Sequence, residues 1–532
     1  MGWVINLRKK WVSLLLLAAL ICALAGCSSD PTANQFITFE MDEPAENLDP
    51  QLAATATELA VAYNCFEGLT RFTGNGELVL GAAASVDESA DHLTFTFTLR
   101  QDLSWSDGTE LTANDFVFGI TRALLPETQS PGAENLLSIQ NARDVYSGKM
   151  APSELGVSAV NTDTVVITLA ERDDNLFYAL AQPAAFPCNQ SFFEQTGGKY
   201  GLSYKTIISN GPFFVRSWEA DQSIQINRSK RYTGDAPAKP SAVLLRFKED
   251  PLTRVARITD GELDGGFLPS DQINSAKNLE ITEHFNTMNC IYINPKAKVL
   301  GDKAIREALI RSVDRDQVSI VLPSYYQGPG GLVPRAMRFG ESSYRQTAGS
   351  AVLPTYRPEQ AKTTFLDALR KQELDSLPET TLYYPETEDN KLIASYIAQS
   401  WQRNLGAYIN TKGVSAQELT SLVRNGTVSL ALLPLTSQDE TAYSFLFQFT
   451  ANGSFPLGIE KFDALLSGIT RYTWDEKAAN TLKQAEQMVI DEWVLLPVFS
   501  SPVCYAASPT LTGTDLYFGT SIPMFTNLGK KS

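Results

Sequence analysis

The sequence contains few of the residues on which enzymes and metal proteins most often depend. Histidine occurs only as His92 and His284, so just two side chains of this type could serve a catalytic triad or a metal ion. The G-x-S-x-G, S-x-x-K, H-E-x-x-H and Walker motifs are all absent. Each histidine follows an acidic residue and is interpreted as a surface residue. The sequence therefore predicts no enzyme, no metal site and no cofactor.

Cysteine is also scarce, and its spacing argues against metal binding. No C-x-x-C pair occurs, and the cysteines beyond the N-terminal region are far apart in the chain. Four cysteines in an exported protein allow three full disulfide pairings, and free buried thiols are an equal alternative in a chain of this size. We leave the pairing open. The four residues are Cys65, Cys188, Cys290 and Cys504.

Only one apolar run approaches the length of a membrane segment, and it lies at the N-terminus. Arg8, Lys9 and Lys10 precede the run over residues 11–24, which is too short for a comfortable transmembrane helix. A basic start followed by a short apolar stretch is typical of a signal peptide. We therefore predict a signal peptide over residues 1–26.

The end of this run resembles the lipobox that the lipoprotein signal peptidase cleaves. Leu24-Ala25-Gly26 stands directly before Cys27, which would become the lipid-bearing N-terminus. Lipidation adds the two or more acyl chains that stable anchoring requires, and residues 27–35 form the anchor and a polar tether. The alternative is an ordinary signal peptide in which Cys27 is incidental. The preferred location is extracytoplasmic, with contact to the membrane only through the lipid.

The charge and length of the remaining chain restrict its partners and its architecture. Loss of residues 1–26 removes three basic residues and no acidic one, which changes the formal charge from −16 to −19. This acidity makes nucleic acid an unlikely partner. The remaining chain needs more than one lobe, because single cores stop growing near roughly 250–300 residues. We expect a monomer.

The first half of the sequence is rich in predicted strands. Apolar residues and threonine alternate over residues 93–99, which indicates a strand with one buried face. Asp107-Gly108 predicts a turn, and Thr112 with Asp115 predicts the N-terminus of a helix that continues to residue 125. Further strands are predicted at residues 164–169, 223–226 and 243–247.

The second half alternates between helical and strand patterns, which indicates α/β construction. Helical stripes occur over residues 304–313, 392–401, 416–424 and 478–493. Strands are predicted at residues 381–384, 407–410, 428–433 and 495–499. Trp401 lies on a helical stripe, where a tryptophan is more often part of the core than a ligand contact.

Several short motifs are spread in order over nearly the whole chain. Their order and content resemble the extracytoplasmic solute-binding proteins of the peptide/nickel family, with the strongest match over residues 99–118. Asp-Gly is chiefly a chain-reversal signal, so the Trp105 motif is interpreted as a structural turn. The motifs include Asn47-Leu48-Asp49-Pro50, Phe66-Glu67-Gly68-Leu69, Trp105-Ser106-Asp107-Gly108, Asn210-Gly211-Pro212-Phe213, Gly331-Leu332-Val333-Pro334 and Trp401-Gln402-Arg403-Asn404-Leu405-Gly406.

The resemblance implies an α/β fold of the two-lobed periplasmic-binding-protein type, with an extra β-rich subdomain in lobe I. The chain crosses between the lobes more than once. By analogy, lobe I comprises residues 30–69, 196–287 and 497–532, the extra subdomain residues 70–195, and lobe II residues 288–496.

The resemblance also implies where a ligand would bind. In peptide-binding members, the ligand backbone pairs with strand edges from both lobes, while its side chains enter hydrated pockets. Tyr292 could instead be a packed core residue. The predicted contact residues are Ala54, Thr55 and Ala56 in lobe I, Asn289, Cys290, Ile291 and Tyr292 at the entry to lobe II, and Leu435, Thr436, Gln438 and Asp439 further on.

The last of these segments departs from the pattern of the peptide-binding relatives. Those proteins carry a tryptophan followed closely by an aspartate that pairs with the α-ammonium group of the ligand. An ungapped match places Leu435 at the tryptophan and Gln438 at the aspartate, whereas a shift of one residue supplies Asp439. A buried amide would lose much of the preference of a carboxylate for an ammonium group. Asp439 could also belong to a solvated turn.

Taken together, the sequence predicts the substrate-binding lipoprotein of an ABC importer. It would capture peptides and deliver them to permease subunits that are driven by ATPases. One alternative keeps the fold and binds another solute, such as an oligosaccharide, an opine or a metal complex. The other two alternatives are a ligand-sensing lipoprotein and an exported hydrolase.

Overall fold

The computed structural model describes residues 35–531 except 74–76, 174, 248–249, 324, 341, 438–440, 452, 454, 470–472, 514 and 518–521. The predicted signal peptide, Cys27, Gln438 and Asp439 lie outside the described residues. Within those residues, no helix combines the length and the apolar character needed to cross a membrane.

Strands occur throughout the described chain. In chain order they are β1 Phe36–Glu40, β2 Thr70–Phe72, β3 Leu78–Leu80, β4 Ala83–Glu88, β5 Thr94–Leu99, β6 Val157–Asn161, β7 Thr164–Thr168, β8 Phe213–Glu219, β9 Ser223–Arg228, β10 Ala242–Arg246, β11 Gly265–Leu268, β12 Glu280–Ile293, β13 Arg338–Phe339, β14 Ser342–Ser343, β15 Thr380–Pro385, β16 Ile409–Val414, β17 Leu430–Leu435, β18 Leu495–Ala507, β19 Leu511–Thr512, β20 Asp515–Tyr517, β21 Ile522–Met524 and β22 Gly529–Lys530.

Helices are longest in the second half of the chain. In chain order the α-helices are α1 Ala56–Cys65, α2 Ala113–Ala123, α3 Ala142–Tyr146, α4 Leu176–Leu180, α5 Gln190–Gln195, α6 Arg254–Thr259, α7 Lys303–Arg311, α8 Arg315–Val321, α9 Tyr344–Ala348, α10 Pro358–Lys371, α11 Glu388–Leu405, α12 Ala416–Arg424, α13 Ala442–Phe447, α14 Glu460–Leu466 and α15 Glu476–Asp491.

One large sheet extends through both lobes. Ten of the described strands join it in the order β16-β15-β17-β12-β18-β11-β1-β10-β9-β8. The longest two, β12 and β18, lie side by side at its centre and pair antiparallel. By the division that the sequence predicts, the strands from β11 to β8 would belong to lobe I and those from β16 to β17 to lobe II. Therefore β12 and β18 would be the strands that connect the lobes.

The register between β12 and β18 shifts twice, between His284 and Thr287 and again between Asn289 and Cys290. Residues 280–284 pair with the β18 segment that ends at Ala507, and the pairing resumes at Thr287 opposite Ser501. A bulge of this kind bends the strand locally. Val498 and Phe499, assigned to lobe I from the sequence, pack in a lobe II core with Ile291. We propose that the boundary between the lobes lies a few residues after residue 497.

The extra subdomain contains a four-stranded antiparallel sheet in the order β4-β5-β7-β6. Along β5 the buried residues alternate with half-buried threonines, as the sequence pattern predicts. Helix α2 begins after Thr112, whose N–H donates to Asp115 Oδ2 at 2.8 Å, which confirms the predicted N-terminus. The local signals of this region therefore agree with the final structure.

Lobe II alternates strands and helices, as its sequence pattern predicts. Trp401 on α11 is fully buried and its Nε1 donates to the carbonyl oxygen of Leu309 at 2.9 Å, so the core interpretation is confirmed. Gly406 ends α11 with φ of 74°, a left-handed conformation that glycine adopts without strain. Strand β16 begins later than predicted, at Ile409. It is an edge strand with mostly exposed polar residues, so no apolar pattern marks its extent.

All four cysteines of the described chain are free thiols, and all are buried. Burial raises the pKa of Cys188 to about 11, and it also raises the pKa of Cys65 and Cys290 above the ordinary value. Thiolate is the reactive form of cysteine, and these thiols remain protonated near neutral pH. The question of disulfide pairing is thereby resolved in favour of unpaired thiols.

We expect a thiol reagent to reveal this arrangement. At pH 8 the folded chain of residues 28–532 should react with 5,5′-dithiobis(2-nitrobenzoate) only slowly, because the four thiols are buried. In guanidinium chloride without a reductant, the same chain should release four equivalents of thionitrobenzoate. Release of two equivalents or fewer from the unfolded chain would contradict the assignment of free thiols.

Candidate ligand-binding cleft

The edge of β17 offers backbone groups to a ligand. This strand pairs with β12 along its whole length, but its parallel pairing with β15 extends only over Leu430 and Ala431. From Leu432 to Leu435 no described strand lies against the other edge. Pro434 lies in this stretch, which suits an edge because proline has no N–H to contribute to a ladder. A segment of this kind can accept an added strand.

The residues that follow β17 were also predicted to contact a ligand. Thr436 is exposed, and its carbonyl oxygen accepts a bond from Gln448 Nε2 at 3.2 Å. Leu435 is buried in the lobe II core. Ser437 is also buried, and its Oγ has no hydrogen-bond partner among the described residues. A buried hydroxyl without a partner is costly, so this position suits a contact with a bound polar group.

The predicted edge at residues 289–292 lies in the interior of the sheet. Both neighbours of β12 pair with this segment, so its backbone cannot accept a further strand. Cys290 and Ile291 are fully buried, and Tyr292 packs edge-on against Phe455 with ring centroids 5.2 Å apart. Asn289 Nδ2 donates to Ser501 Oγ at 2.9 Å. The interpretation of this segment as an edge is wrong, and the core alternative for Tyr292 is the correct one.

The predicted edge at Ala54, Thr55 and Ala56 is a helix N-terminus. Thr55 caps α1 in a capping box with Glu58, and Ala56 is the first residue of the helix. The backbone N–H groups of Ala54 and Thr55 donate to Glu58 Oε2 at 3.0 and 3.1 Å. The strand interpretation is therefore wrong. The spacing of Thr55 and Glu58 is the sequence signal that could have revealed the cap.

Two of the motif segments of lobe I, residues 66–69 and 210–213, contact each other. The backbone N–H of Glu67 donates to Asn210 Oδ1 at 3.1 Å, and Asn210 Nδ2 donates to the Glu67 carbonyl oxygen at 2.8 Å. A Cβ atom at Gly68 would lie 2.2 Å from the Leu180 carbonyl oxygen, so only glycine fits there. These motifs therefore fix the junction between lobe I and its extra subdomain.

The Trp105 motif belongs to the same junction. Trp105 is fully buried and its Nε1 lies 3.4 Å from Asp115 Oδ2, while Ser106 N–H donates to the Ser209 carbonyl oxygen at 2.7 Å. Gly108 closes the turn with φ of 96°. The interpretation of this motif as a structural turn is confirmed.

A cavity of about 540 Å³ lies between the extra subdomain and lobe II. Arg424, at the C-terminus of α12, forms its lobe II wall, and Ser130 and Glu134 lie on the opposite wall. Ser130 Oγ is buried and has no hydrogen-bond partner among the described residues. A volume of this size is typical of a small-molecule site. Sequence reasoning missed these residues, because only the fold brings residues 130 and 424 together.

These features define a class of protein: a two-lobed α/β binding protein whose lobes share two crossing strands. The family model for bacterial extracellular solute-binding proteins, family 5 (its middle region), matches residues 77–456. The chain belongs to this family, whose members are solute-binding transport proteins and not enzymes.

Known proteins resemble the chain over most of its length. A dipeptide-binding protein of Lactococcus lactis subsp. cremoris is 27% identical over 81% of this chain and 82% of its own length. A probable deoxycholate-binding periplasmic protein of Escherichia coli, YgiS, is 25% identical over 95% of this chain and 96% of its own. The structure of Listeria monocytogenes OppA bound to peptide superposes with a TM-score of 0.76 at 22% identity, covering 94% of this chain and 99% of that one, which supports the fold.

The buried position of Tyr292 predicts a structural role for its ring. Tyr292→Ala should lower the free energy of unfolding by about 3–5 kcal/mol, because it removes a large aromatic side chain from the lobe II core. Tyr408→Ala is the matched control, since Tyr408 is 75% exposed. Urea unfolding followed by circular dichroism measures both. Unchanged stability in Tyr292→Ala would contradict the core assignment.

Proposed function

We propose that this protein binds peptides between its two lobes and delivers them to the permease of an ABC importer. The observation that carries the proposal is the unpaired edge of β17 from Leu432 to Leu435. A peptide in extended form adds to such an edge through its own N–H and C=O groups, whatever its side chains are. The names of the relatives support the same ligand class.

Closure of the lobes would bury the peptide. Among the described strands of the large sheet, β12 and β18 alone contribute residues to both lobes, and their register shifts, at His284 to Thr287 and at Asn289 to Cys290, are the places where they would bend. Ligand contacts made in both lobes favour the closed form over the open form. The closed form would then dock on the permease, and ATPases on the cytoplasmic side would drive transport.

Recognition of the α-ammonium group of the peptide rests on the residues after β17. Asp439 would make a charge-assisted bond to this group, whereas Gln438 at the same place would give a weaker neutral one. Ser437, whose buried Oγ has no hydrogen-bond partner among the described residues, directly precedes both in the sequence. We assign the ammonium contact to Asp439.

A non-peptide solute is the second candidate. The relative named for deoxycholate is 25% identical over nearly the full length, which matches the similarity of the peptide-binding relatives. The cavity between the extra subdomain and lobe II is the candidate place for such a ligand. Binding measurements with both kinds of ligand therefore decide between a peptide and a non-peptide solute.

We expect peptides with a free N-terminus to raise the Tm of the chain of residues 28–532 after its carried-over ligand has been removed by unfolding and refolding. Binding to the folded state alone stabilises it, by about 2.7 kcal/mol at a ligand concentration near 100 times Kd. N-acetylated peptides should bind roughly 10- to 100-fold more weakly, because they cannot make the charge-assisted bond to Asp439.

Two variants test the same assignment. Asp439→Asn should weaken binding of free-amine peptides to the level of acetylated ones, while Glu440→Gln, its neighbour and matched control, should leave affinity unchanged. Equal loss in both variants would indicate a general charge effect and count against the anchor. If no peptide shifts the Tm and deoxycholate does, the peptide assignment is wrong.

We further propose that Cys27 carries the lipid that holds the protein at the membrane. Cys27→Ser should move the protein from the membrane fraction to the soluble fraction and abolish incorporation of labelled palmitate. Ser28→Ala is the control and should change neither. Membrane retention of the labelled Cys27→Ser protein would show that the lipid lies elsewhere.

A further inference from the structure

A second cavity lies within lobe I, away from the space between the lobes. Its volume is about 230 Å³, and none of the described residues that line it comes from lobe II. Asp235 and Ala236 form its rim, where Asp235 is exposed and Ala236 half-buried. Aromatic rings form much of the wall, contributed by Tyr63, Phe66, Phe72, Phe186 and Tyr232.

One end of this cavity carries a cluster of charged groups around Glu67, which is almost fully buried. Arg100 Nη2 donates to Glu67 Oε1 at 2.5 Å, and the phenol of Tyr232 donates to Glu67 Oε2. Arg71, which lines the cavity, has its Nε 3.6 Å from the same Oε2. Two guanidinium groups thus face one buried carboxylate, so the cluster has an excess positive charge.

The hydrogen-bonding groups left over in this cluster are donors. Arg71 Nε, Arg100 Nε and Arg100 Nη1 are buried and have no hydrogen-bond partner among the described residues. Both oxygens of Glu67 already accept hydrogen bonds. A buried donor without a partner is unfavourable, and a guanidinium group forms its strongest bonds with carboxylates. Arg71 lines the cavity and Arg100 does not, so the guanidinium group of Arg71 is the one that a ligand in the cavity can approach, and it favours an anionic acceptor over a cation.

We propose that this cavity is a second binding site, which takes a small aromatic or branched apolar carboxylate of about the size of phenylacetate. The ring would lie among Phe66, Phe72 and Phe186, with the carboxylate directed toward Arg71. An apolar cavity of roughly 150 Å³ holds benzene, so this one has room for a ring and a short acid. Asp235 at the exposed rim disfavours a second negative charge, so the ligand is a monoanion.

Fluorine NMR of 4-fluorophenylacetate with the chain of residues 28–532 tests this site directly. The acid should bind saturably, and the neutral analogue 2-(4-fluorophenyl)ethanol should bind at least roughly 10-fold more weakly, because it makes no charge-assisted bond. Arg71→Met should lower the affinity of the acid about 10-fold and leave that of the alcohol unchanged. Arg216→Met, at an exposed arginine of lobe I, is the matched control and should change neither.

A second variant fills the cavity without altering its charges. Ala236→Phe, at the half-buried rim, should abolish binding of both compounds while circular dichroism shows an unchanged fold. If Arg71→Met does not fold, the Ala236→Phe variant alone tests the proposal. Bound acid should also remain bound when a peptide saturates the cleft. Three results would each overturn the proposal: displacement of the acid by peptide, unchanged binding in Ala236→Phe, or no binding by the parent chain. None of them depends on whether the protein transports peptides.

Discussion

The antiparallel pairing of β12 with β18 is the interaction on which the arrangement of the two lobes depends. Each lobe builds its core on one end of this pair: Tyr505 and Ala507 of β18 pack in lobe I, whereas Ile291 of β12 and Val498 of β18 pack in lobe II. The lobes cannot separate without breaking this ladder. The register of the ladder shifts between His284 and Thr287 and again between Asn289 and Cys290, and bulges of this kind bend strands locally.

Much of the local structure could be predicted from the sequence. The alternation along β5 and the stripes of α11 and α12 follow from which face of each element is buried. The start of α2 was readable from Thr112 and Asp115. These signals are short-range, since each depends on residues within a few positions of one another. The two-lobed arrangement, by contrast, could be predicted only from the family resemblance.

The ligand-contact segments were less predictable, because an edge is a property of the whole sheet. The residues around Cys290 and those around Leu433 both form apolar strands, yet the first segment is enclosed by two neighbours and the second has one side unpaired. Residues 54–56 were assigned by analogy, and the local cap between Thr55 and Glu58 determines their conformation. The cluster at Glu67 depends on contacts with residues 100 and 232, which no local pattern reveals.

The absence of disulfide bonds among the described residues has a consequence for how the protein is made. A chain that reaches its final fold with Cys65, Cys188, Cys290 and Cys504 as thiols needs no oxidant and no disulfide isomerase to mature. Its folding therefore depends on strand pairing and core packing and not on disulfide formation. Cys290 and Cys504 lie on β12 and β18, whereas Cys65 and Cys188 are enclosed by the core that includes Phe66 and Phe186. Until both regions have packed, the thiols are exposed to oxidative damage.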